Sequence, residues 1–264
     1  MIVFDIETGP LPWHEIEKIV DPFDEEKAVP HPGEFDPASV KCGNLKDREK
    51  IEAKIAECRA AHEIAATSVA QSRAAARNKY VADCMDRAPL DATIGCVKAI
   101  GYLDTDNASR LIACVTTDLV SPLDNALVAG VVSERVLLQG FWEAIAGRKS
   151  PWVGHNIHGF DLPFLVRRSY LLGVDVPRQQ LMKGRYFTDR FVDTMVLWQC
   201  GGRDYVSLDR ICKALGIPGK GDECSGKDFH RMFDAGGEDR VKALAYLAHD
   251  LDMTLGVAEA MGVL

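Results

Sequence analysis

Ile2-Val-Phe-Asp-Ile-Glu-Thr8 is the stretch of sequence that decides the fold, and it also carries the first candidate functional residues. Its apolar residues predict a buried β-strand, in which side chains alternate between the two faces. Asp5 and Glu7 are two residues apart, so we expect both carboxylates on the same face. Two carboxylates on one buried face repel each other and lose hydration, and a divalent cation bound between them removes both costs. The alternative interpretation is that this face of the strand is solvated.

Composition limits the class of protein. The chain has 264 residues, of which 47% are hydrophobic, and this suffices for one large domain with a sizeable core. The formal net charge of -8 argues against a protein that coats duplex DNA, so any contact with nucleic acid should be local. Eight scattered cysteines without a CxxC pair predict the reduced thiols of a cytoplasmic protein. The sequence has no apolar run long enough to span a bilayer.

The order of predicted elements indicates the fold class. We expect three consecutive antiparallel strands, with an insertion at about residues 14–93 after the first; they are residues 2–8, 96–103 and 110–117. Helices and short β-like segments then alternate, and they include a strand at 152–157 and helices at 162–172 and 238–260. The segment at 191–196 is β-like or early helical. This order predicts an α/β fold, a ribonuclease-H-like mixed sheet flanked by helices, with a largely helical insertion between the first two strands.

The insertion contains a long helical segment. Residues 44–87 include neither Gly nor Pro, and Asn44 is placed as an N-cap. A single helix of this length could not bury its alanine-rich seam on one domain, so we expect it to fold back into a hairpin near residues 62–68. The alternative is pairing between subunits, which would make the protein a homo-oligomer. Basic residues such as Lys54 and Arg59 are candidate phosphate contacts on this segment.

Two further acidic positions lie downstream. Asp161 opens a predicted helix directly after the predicted strand and turn at 152–160, where it could serve only as a helix cap. Tyr246 and Asp250 are four residues apart in the last predicted helix and therefore share a face. Asp250 has apolar neighbours in sequence, and a carboxylate without a partner would be costly there.

These positions together resemble the three exonuclease motifs of the DEDD superfamily. The motifs are Asp5-x-Glu7, Asn156-x-x-x-Phe160-Asp161 and Tyr246-x-x-x-Asp250. The tyrosine is typical of the DEDDy branch, to which the proofreading domains of DNA polymerases belong. The chain is similar to stand-alone predicted exonucleases of the DnaQ-like, ribonuclease-H-like superfamily. These are related to the proofreading domain of family B DNA polymerases and are often found in phages and prophages.

The resemblance implies a metal-dependent 3′→5′ exonuclease that hydrolyses phosphodiester bonds from the 3′ end of single-stranded DNA. It also implies two bound ions, Mg²⁺ or Mn²⁺, because all the ligands are oxygens. The implied metal ligands are Asp5, Glu7, Asp161 and Asp250. Tyr246 completes the implied catalytic set and would orient the attacking water through its hydroxyl.

Substrate contacts and the nature of the substrate are left open by the sequence. Candidate contacts to the nucleic acid are Asn156, His158, Phe160 and Lys227, with Lys183, Arg185 and Lys220 as further basic positions. For the basic residues the alternative is a solvated surface, and for Phe160 it is a place in the core. An exoribonuclease acting on RNA 3′ ends and a non-catalytic nucleic-acid-binding module are the alternative functions.

Overall fold

The structure is a computed structural model that describes residues 1–116, 118, 123–177, 190–220 and 226–263. The chain divides into two compact units. One consists of Met1–Ile16 with Ala88–Leu264, which we call the sheet unit. The other is Glu17–Arg87, which we call the helical unit.

The sheet unit is built on a mixed sheet of six strands. They are β1 (Ile2–Pro10), β2 (Gly95–Asp104), β3 (Ser109–Val115), β4 (Leu127–Val131), β5 (Trp152–Gly154) and β6 (Phe191–Asp193). Their spatial order is β4-β3-β2-β1-β5-β6. The β1–β2 and β2–β3 pairs are antiparallel, and the other pairs are parallel. The predicted ribonuclease-H-like α/β fold, with three antiparallel strands at its start, is confirmed.

Helices flank this sheet and form the helical unit. In chain order they are α1 (Trp13–Ile16), α2 (Glu25–Ala28), α3 (Arg48–Arg87), α4 (Glu134–Gly147), α5 (Asp161–Leu172), α6 (Thr194–Gln199), α7 (Leu208–Leu215), α8 (Gly226–Ala235) and α9 (Gly237–Ala260). Short 3₁₀ turns lie at Pro37–Ser39 and Ala88–Leu90. Among the described residues, no helix combines the length and apolar character needed to cross a bilayer.

The central strand β1 has a different core on each face. Ile2, Phe4 and Ile6 pack with α4 and α5 in the largest hydrophobic cluster. Val3 belongs to a second cluster that includes Leu251 of α9. Because side chains alternate along a strand, Asp5 points toward the α9 side. The alternation that the sequence predicts therefore places the odd-numbered acidic residues of β1 beneath the last helix.

Gly101 allows α9 to approach β1 and β2 closely. It lies directly opposite Asp5 in the β1–β2 pairing. A Cβ atom added to Gly101 would lie 3.0 Å from Leu251 Cδ1 and 3.1 Å from Leu247 Cγ. Such contacts are tighter than ordinary packing distances, so a larger side chain would push α9 away from Asp5. This glycine thus sets the distance between the two elements that carry the acidic residues.

The sheet unit differs from the sequence prediction in three places. The edge strand β4 and the helix α8 were not predicted as elements. The strand predicted at 152–157 ends at Gly154, because the chain turns at Asn156 with φ of 60°. The segment at residues 191–196, for which the sequence predicts β-like or early helical structure, agrees with the prediction, since it is a strand for three residues and continues as α6.

The helical unit contains α3 as one continuous helix of 40 residues, so the predicted hairpin near residues 62–68 is wrong. The physical reason is that the irregular segment before α3 covers part of the helix. Phe23 packs on Tyr80 and Phe35 packs on His62, with ring centroids 5.4 Å apart in each pair. The Arg73 Nε–H also donates a 3.0 Å hydrogen bond to a carbonyl of that segment. The helix therefore has a partner without folding back on itself.

The start of α3 and its basic residues also have local partners. The helix begins at Arg48 rather than at Asn44, and the Asp47 carboxylate accepts a 3.0 Å hydrogen bond from the Glu49 amide. Lys54 forms a 3.0 Å ion pair with Glu57. The Arg59 guanidinium lies 5.1 Å from the centre of the Phe35 ring. Phosphate contact by these residues and pairing between subunits stay predictions.

Candidate active site

Three carboxylates from β1 and α9 meet at one point in the sheet unit. Asp5, Glu7 and Asp250 each offer an oxygen, and these oxygens all lie within 4.8 Å of one another. Glu7 is 8% exposed and Asp250 is 5% exposed, so the cluster is largely removed from water. Asp5 and Glu7 are on the same face of β1, as the alternation predicts, and α9 brings Asp250 to that face.

Burial and mutual repulsion disfavour the charged forms of these acids. Burial and the nearby Asp250 raise the pKa of Asp5 to about 7. Burial, followed by repulsion from Asp5, raises the pKa of Glu7 well above its usual range. Burial raises the pKa of Asp250 as well. A cation bound among the three carboxylates would reverse these shifts, because it favours the ionised form of each.

The cluster fits a hard divalent cation. Within the described part of the chain, the Oδ1 atom of Asp250 is buried and has no hydrogen-bond partner. A buried carboxylate oxygen without a partner is costly, and a metal ion would satisfy it. All three donors are carboxylate oxygens, which Mg²⁺ and Mn²⁺ prefer over softer ligands. Asp5, Glu7 and Asp250 could therefore hold such an ion.

Asp161 adjoins this cluster on the other side of Asp5. It is the first residue of α5, where Phe160 occupies the N-cap position and no side chain caps the helix. The Asp161 Oδ1 atom instead accepts a 3.3 Å hydrogen bond from the amide of Ile6, the residue after Asp5. Burial, then repulsion from Asp5, raises the pKa of Asp161 well above its usual range. Its side chain therefore contacts β1 beside the cluster and does not cap the helix.

The Tyr246 hydroxyl lies at the edge of the same cluster. It accepts a hydrogen bond from the Lys220 ammonium, which also contacts Asp250. Burial and the neighbouring carboxylates, Asp250 first, raise the pKa of Tyr246, which keeps the hydroxyl protonated. The (i, i+4) spacing that the sequence predicts thus places both residues at the site on one face of α9.

A comparison with protein families matches residues 111–254 to the family described as "Predicted 3'-5' exonuclease related to the exonuclease domain of PolB". The chain belongs to this family. The match covers more than half of the chain and confirms the resemblance found from the motifs. It includes Asp161, Tyr246 and Asp250, whereas Asp5 and Glu7 precede it and reach the site through β1. No curated protein matches this sequence.

The predicted substrate contacts of this family member occupy varied environments. Asn156 lies in the turn after β5. Its side chain packs closely on Gly159, since a Cβ atom added to that glycine would lie 2.3 Å from Asn156 Oδ1. His158 is half-buried, and burial lowers its pKa. Phe160 is partly buried against the main core, with its ring 5.5 Å from that of Phe164. Of the predicted basic positions, Lys183 and Arg185 lie outside the described residues.

Lys227 is the predicted substrate contact on α8. Its side chain is exposed in the first turn of that helix. The preceding residue, Gly226, lies beside the cluster, since a Cβ there would be 3.6 Å from the Tyr246 hydroxyl. The position is therefore one from which a lysine could contact a phosphate near the carboxylates.

Asp193 is a residue of the site region that the sequence analysis missed. Its side chain is fully buried at the end of β6. It accepts hydrogen bonds of 2.8 Å from the Asn156 amide and 2.9 Å from the His158 amide. It thereby fixes the turn between β5 and α5, whose first residue is Asp161. The signal in the sequence was an aspartate between Val192 and Thr194 in an otherwise apolar segment.

Proposed function

We propose that the protein is a metal-dependent 3′→5′ exonuclease that removes nucleotides from the 3′ end of single-stranded DNA. The observation that carries this proposal is the convergence of Asp5, Glu7 and Asp250 in one buried cluster, in a chain of this exonuclease family. Asp161 adjoins the cluster and Tyr246 borders it, so five acid and hydroxyl groups lie together. A chain with only a binding role would have no need to keep this set together in a buried position.

Each group has a role that follows from its placement. Asp5, Glu7 and Asp250 would hold one divalent ion, and Asp5 with Asp161 would hold the second. Two Mg²⁺ or Mn²⁺ ions, when bound, activate a water molecule and relieve the charge that develops on the leaving 3′-oxygen. The Tyr246 hydroxyl orients the attacking water, because it is protonated and lies beside Asp250.

Single-stranded DNA is the proposed substrate. The chain is acidic overall, which disfavours wide electrostatic contact with a duplex, so contact with nucleic acid should be local. Asn156, His158 and Lys227 would contact the last nucleotides, with Lys227 exposed on the turn of α8 that follows Gly226. Discrimination against RNA would depend on the space left for a 2′-hydroxyl.

The test is digestion of 5′-labelled single-stranded DNA and RNA of the same sequence. Wild-type protein should shorten DNA from its 3′ end with Mn²⁺ or Mg²⁺ and leave it intact with chelator. Asp5→Ala should abolish turnover, because Asp5 is a ligand shared by both ions. Asp239→Asn is a matched control, since Asp239 is an exposed carboxylate in the first turn of α9.

Three results would contradict parts of this proposal. Intact DNA and RNA with either metal would favour a binding module without catalysis. Faster digestion of RNA than of DNA would favour the exoribonuclease. Digestion that continues in Asp5→Ala would place the catalytic metals elsewhere.

A further inference from the structure

The Lys220 ammonium occupies the edge of the carboxylate cluster. Its Nζ atom lies 2.8 Å from Asp250 Oδ2, and it also donates a hydrogen bond to the Tyr246 hydroxyl. The same atom lies 4.4 Å from the centre of the Tyr246 ring. The ammonium therefore contacts both functional residues of α9 and is the cation that pairs with Asp250 among the described residues.

The position of Lys220 is fixed from its backbone outward. Its amide donates a 2.9 Å hydrogen bond to the carboxylate of Asp209 in α7. Its side chain is 31% exposed, compared with 59% for Lys242, which makes a 3.9 Å ion pair on the same helix as Asp250. A lysine with only a surface role would keep its ammonium in water. The Lys220 ammonium instead contacts the buried carboxylate of Asp250.

The charge of Lys220 acts on the whole cluster. It lowers the pKa of Asp250, and it also lowers the pKa of Asp5 and Glu7 against the larger effect of burial. Asp250 Oδ2 is bonded to this ammonium, while the buried Oδ1 has no partner in the described chain. One oxygen of Asp250 is therefore held by a cation from the protein, and the other is left for a cation from solution.

We propose that Lys220 is a positioning residue that holds Asp250 and Tyr246 in place without metal and competes with the divalent ion for Asp250. This inference rests on the proposed function, because it takes the cluster to be a metal site. A bound divalent ion and an ammonium at the same carboxylate repel each other. A divalent ion bound at Oδ1 therefore lies close to the ammonium at Oδ2, and part of its binding free energy is lost to this repulsion.

The experiment measures Mn²⁺ binding by titration calorimetry on the full chain freed of metal with chelator, without any nuclease assay. Lys220→Met keeps the length of the side chain and removes its charge. Its dissociation constant for Mn²⁺ should be at least about tenfold lower than that of the wild type, because the competing cation is gone. Its melting temperature in chelator should be lower than that of the wild type, and the increase on adding Mn²⁺ should be larger.

Two variants serve as matched controls. Lys220→Arg keeps the charge, so its Mn²⁺ affinity should stay within about threefold of the wild type. Lys242→Met removes an exposed lysine of α9 and should change neither the affinity nor the melting temperature in chelator. Lys220→Arg also keeps the test decisive if Lys220→Met does not fold, because tighter binding by the arginine variant would overturn the proposal.

The outcomes separate this inference from the proposed function. Equal or weaker Mn²⁺ binding by Lys220→Met than by the wild type overturns the role of Lys220 alone. Absence of Mn²⁺ binding in both proteins overturns the metal site, and this inference with it. Tighter binding in Lys220→Met, with Lys220→Arg unchanged, supports competition by the ammonium.

Discussion

Asp193→Asn is the substitution that tests how the turn beside the site is held. The Oδ1 atom of Asp193 accepts hydrogen bonds from the amides of Asn156, Met195 and Val196, at 2.8, 3.0 and 3.4 Å. Its Oδ2 atom accepts a 2.9 Å hydrogen bond from the amide of His158. Both oxygens are acceptors for buried donors, so no orientation of an asparagine amide can replace the carboxylate.

The magnitude follows from this geometry. With the amide oxygen at the Oδ1 position, the NH₂ group would face the His158 amide, which is also a donor. The variant would lose one hydrogen bond to a charged acceptor and bury two donors without partners. We expect the free energy of unfolding to fall by about 2–4 kcal/mol. For a chain of this size, the melting temperature should fall by about 5–15 °C.

Thermal unfolding followed by circular dichroism in chelator measures this effect. Asp175→Asn is the matched control, since Asp175 is exposed just after α5 and should change the melting temperature by little. Turnover should also fall in Asp193→Asn, because the turn leads directly into Asp161. The affinity for Mn²⁺ should stay within about threefold of the wild type, since Asp5, Glu7 and Asp250 are unchanged.

The reasoning is refuted if Asp193→Asn melts within 2 °C of the wild type, about the shift that 1 kcal/mol produces. It is equally refuted if Mn²⁺ binding is lost as completely as in Asp250→Asn. The first result would mean that the buried amides find other acceptors. The second would mean that Asp193 is itself part of the metal site.

Three further predictions concern catalysis, stability and assembly. Tyr246→Phe should lower turnover without lowering Mn²⁺ affinity, because only the water-orienting hydroxyl is lost, and parallel loss of both in calorimetry and digestion would contradict this. Arg168→Met should lower the free energy of unfolding by about 3–5 kcal/mol in denaturant titrations, because buried Arg168 pairs with Glu134 at 2.7 and 2.9 Å. Exposed Arg167→Met is its control, and equal stabilities would refute the role of the pair. Pairing of α3 between subunits predicts a dimer by light scattering that Ile64→Glu converts to a monomer, since Ile64 is 70% exposed, whereas a monomeric wild type contradicts it.

Local patterns in the sequence were sufficient for β1 and for its two acidic residues. Alternation along a strand is a local property, so Asp5 and Glu7 could be assigned to one face before any partner was known. The same holds for Tyr246 and Asp250, whose spacing matches one helical turn. Placement of these two pairs beside each other came only from the resemblance, because spacing says nothing about which helix covers which strand.

The missed elements depend on distant parts of the chain. β4 is an edge strand whose Leu127 is 63% exposed, and its pairing with β3 supplies the order that its short, weakly patterned sequence lacks. The hairpin prediction for α3 assumed that only another helix could cover its seam. Phe23 and Phe35 cover part of it from the segment before α3, which is rich in prolines and acidic residues.

Asp193 shows why the site could not be completed from sequence. The aspartate precedes α6 and its side chain caps that helix, which is an ordinary local role. Its second set of hydrogen bonds reaches the turn after β5, more than thirty residues earlier in the chain. Only the parallel pairing of β5 with β6 brings the two together.

The chain order of the cluster has a consequence for synthesis on the ribosome. Asp5 and Glu7 emerge among the first residues, whereas Tyr246 and Asp250 lie in the last helix. At about 5–20 residues per second, roughly 12–50 s separate the translation of these two ends of the cluster. Until then the nascent chain holds unmatched acids on β1 and lacks the helix that covers them. A chain that stops before α9 therefore lacks Asp250 and Tyr246 and cannot form the metal site that we propose.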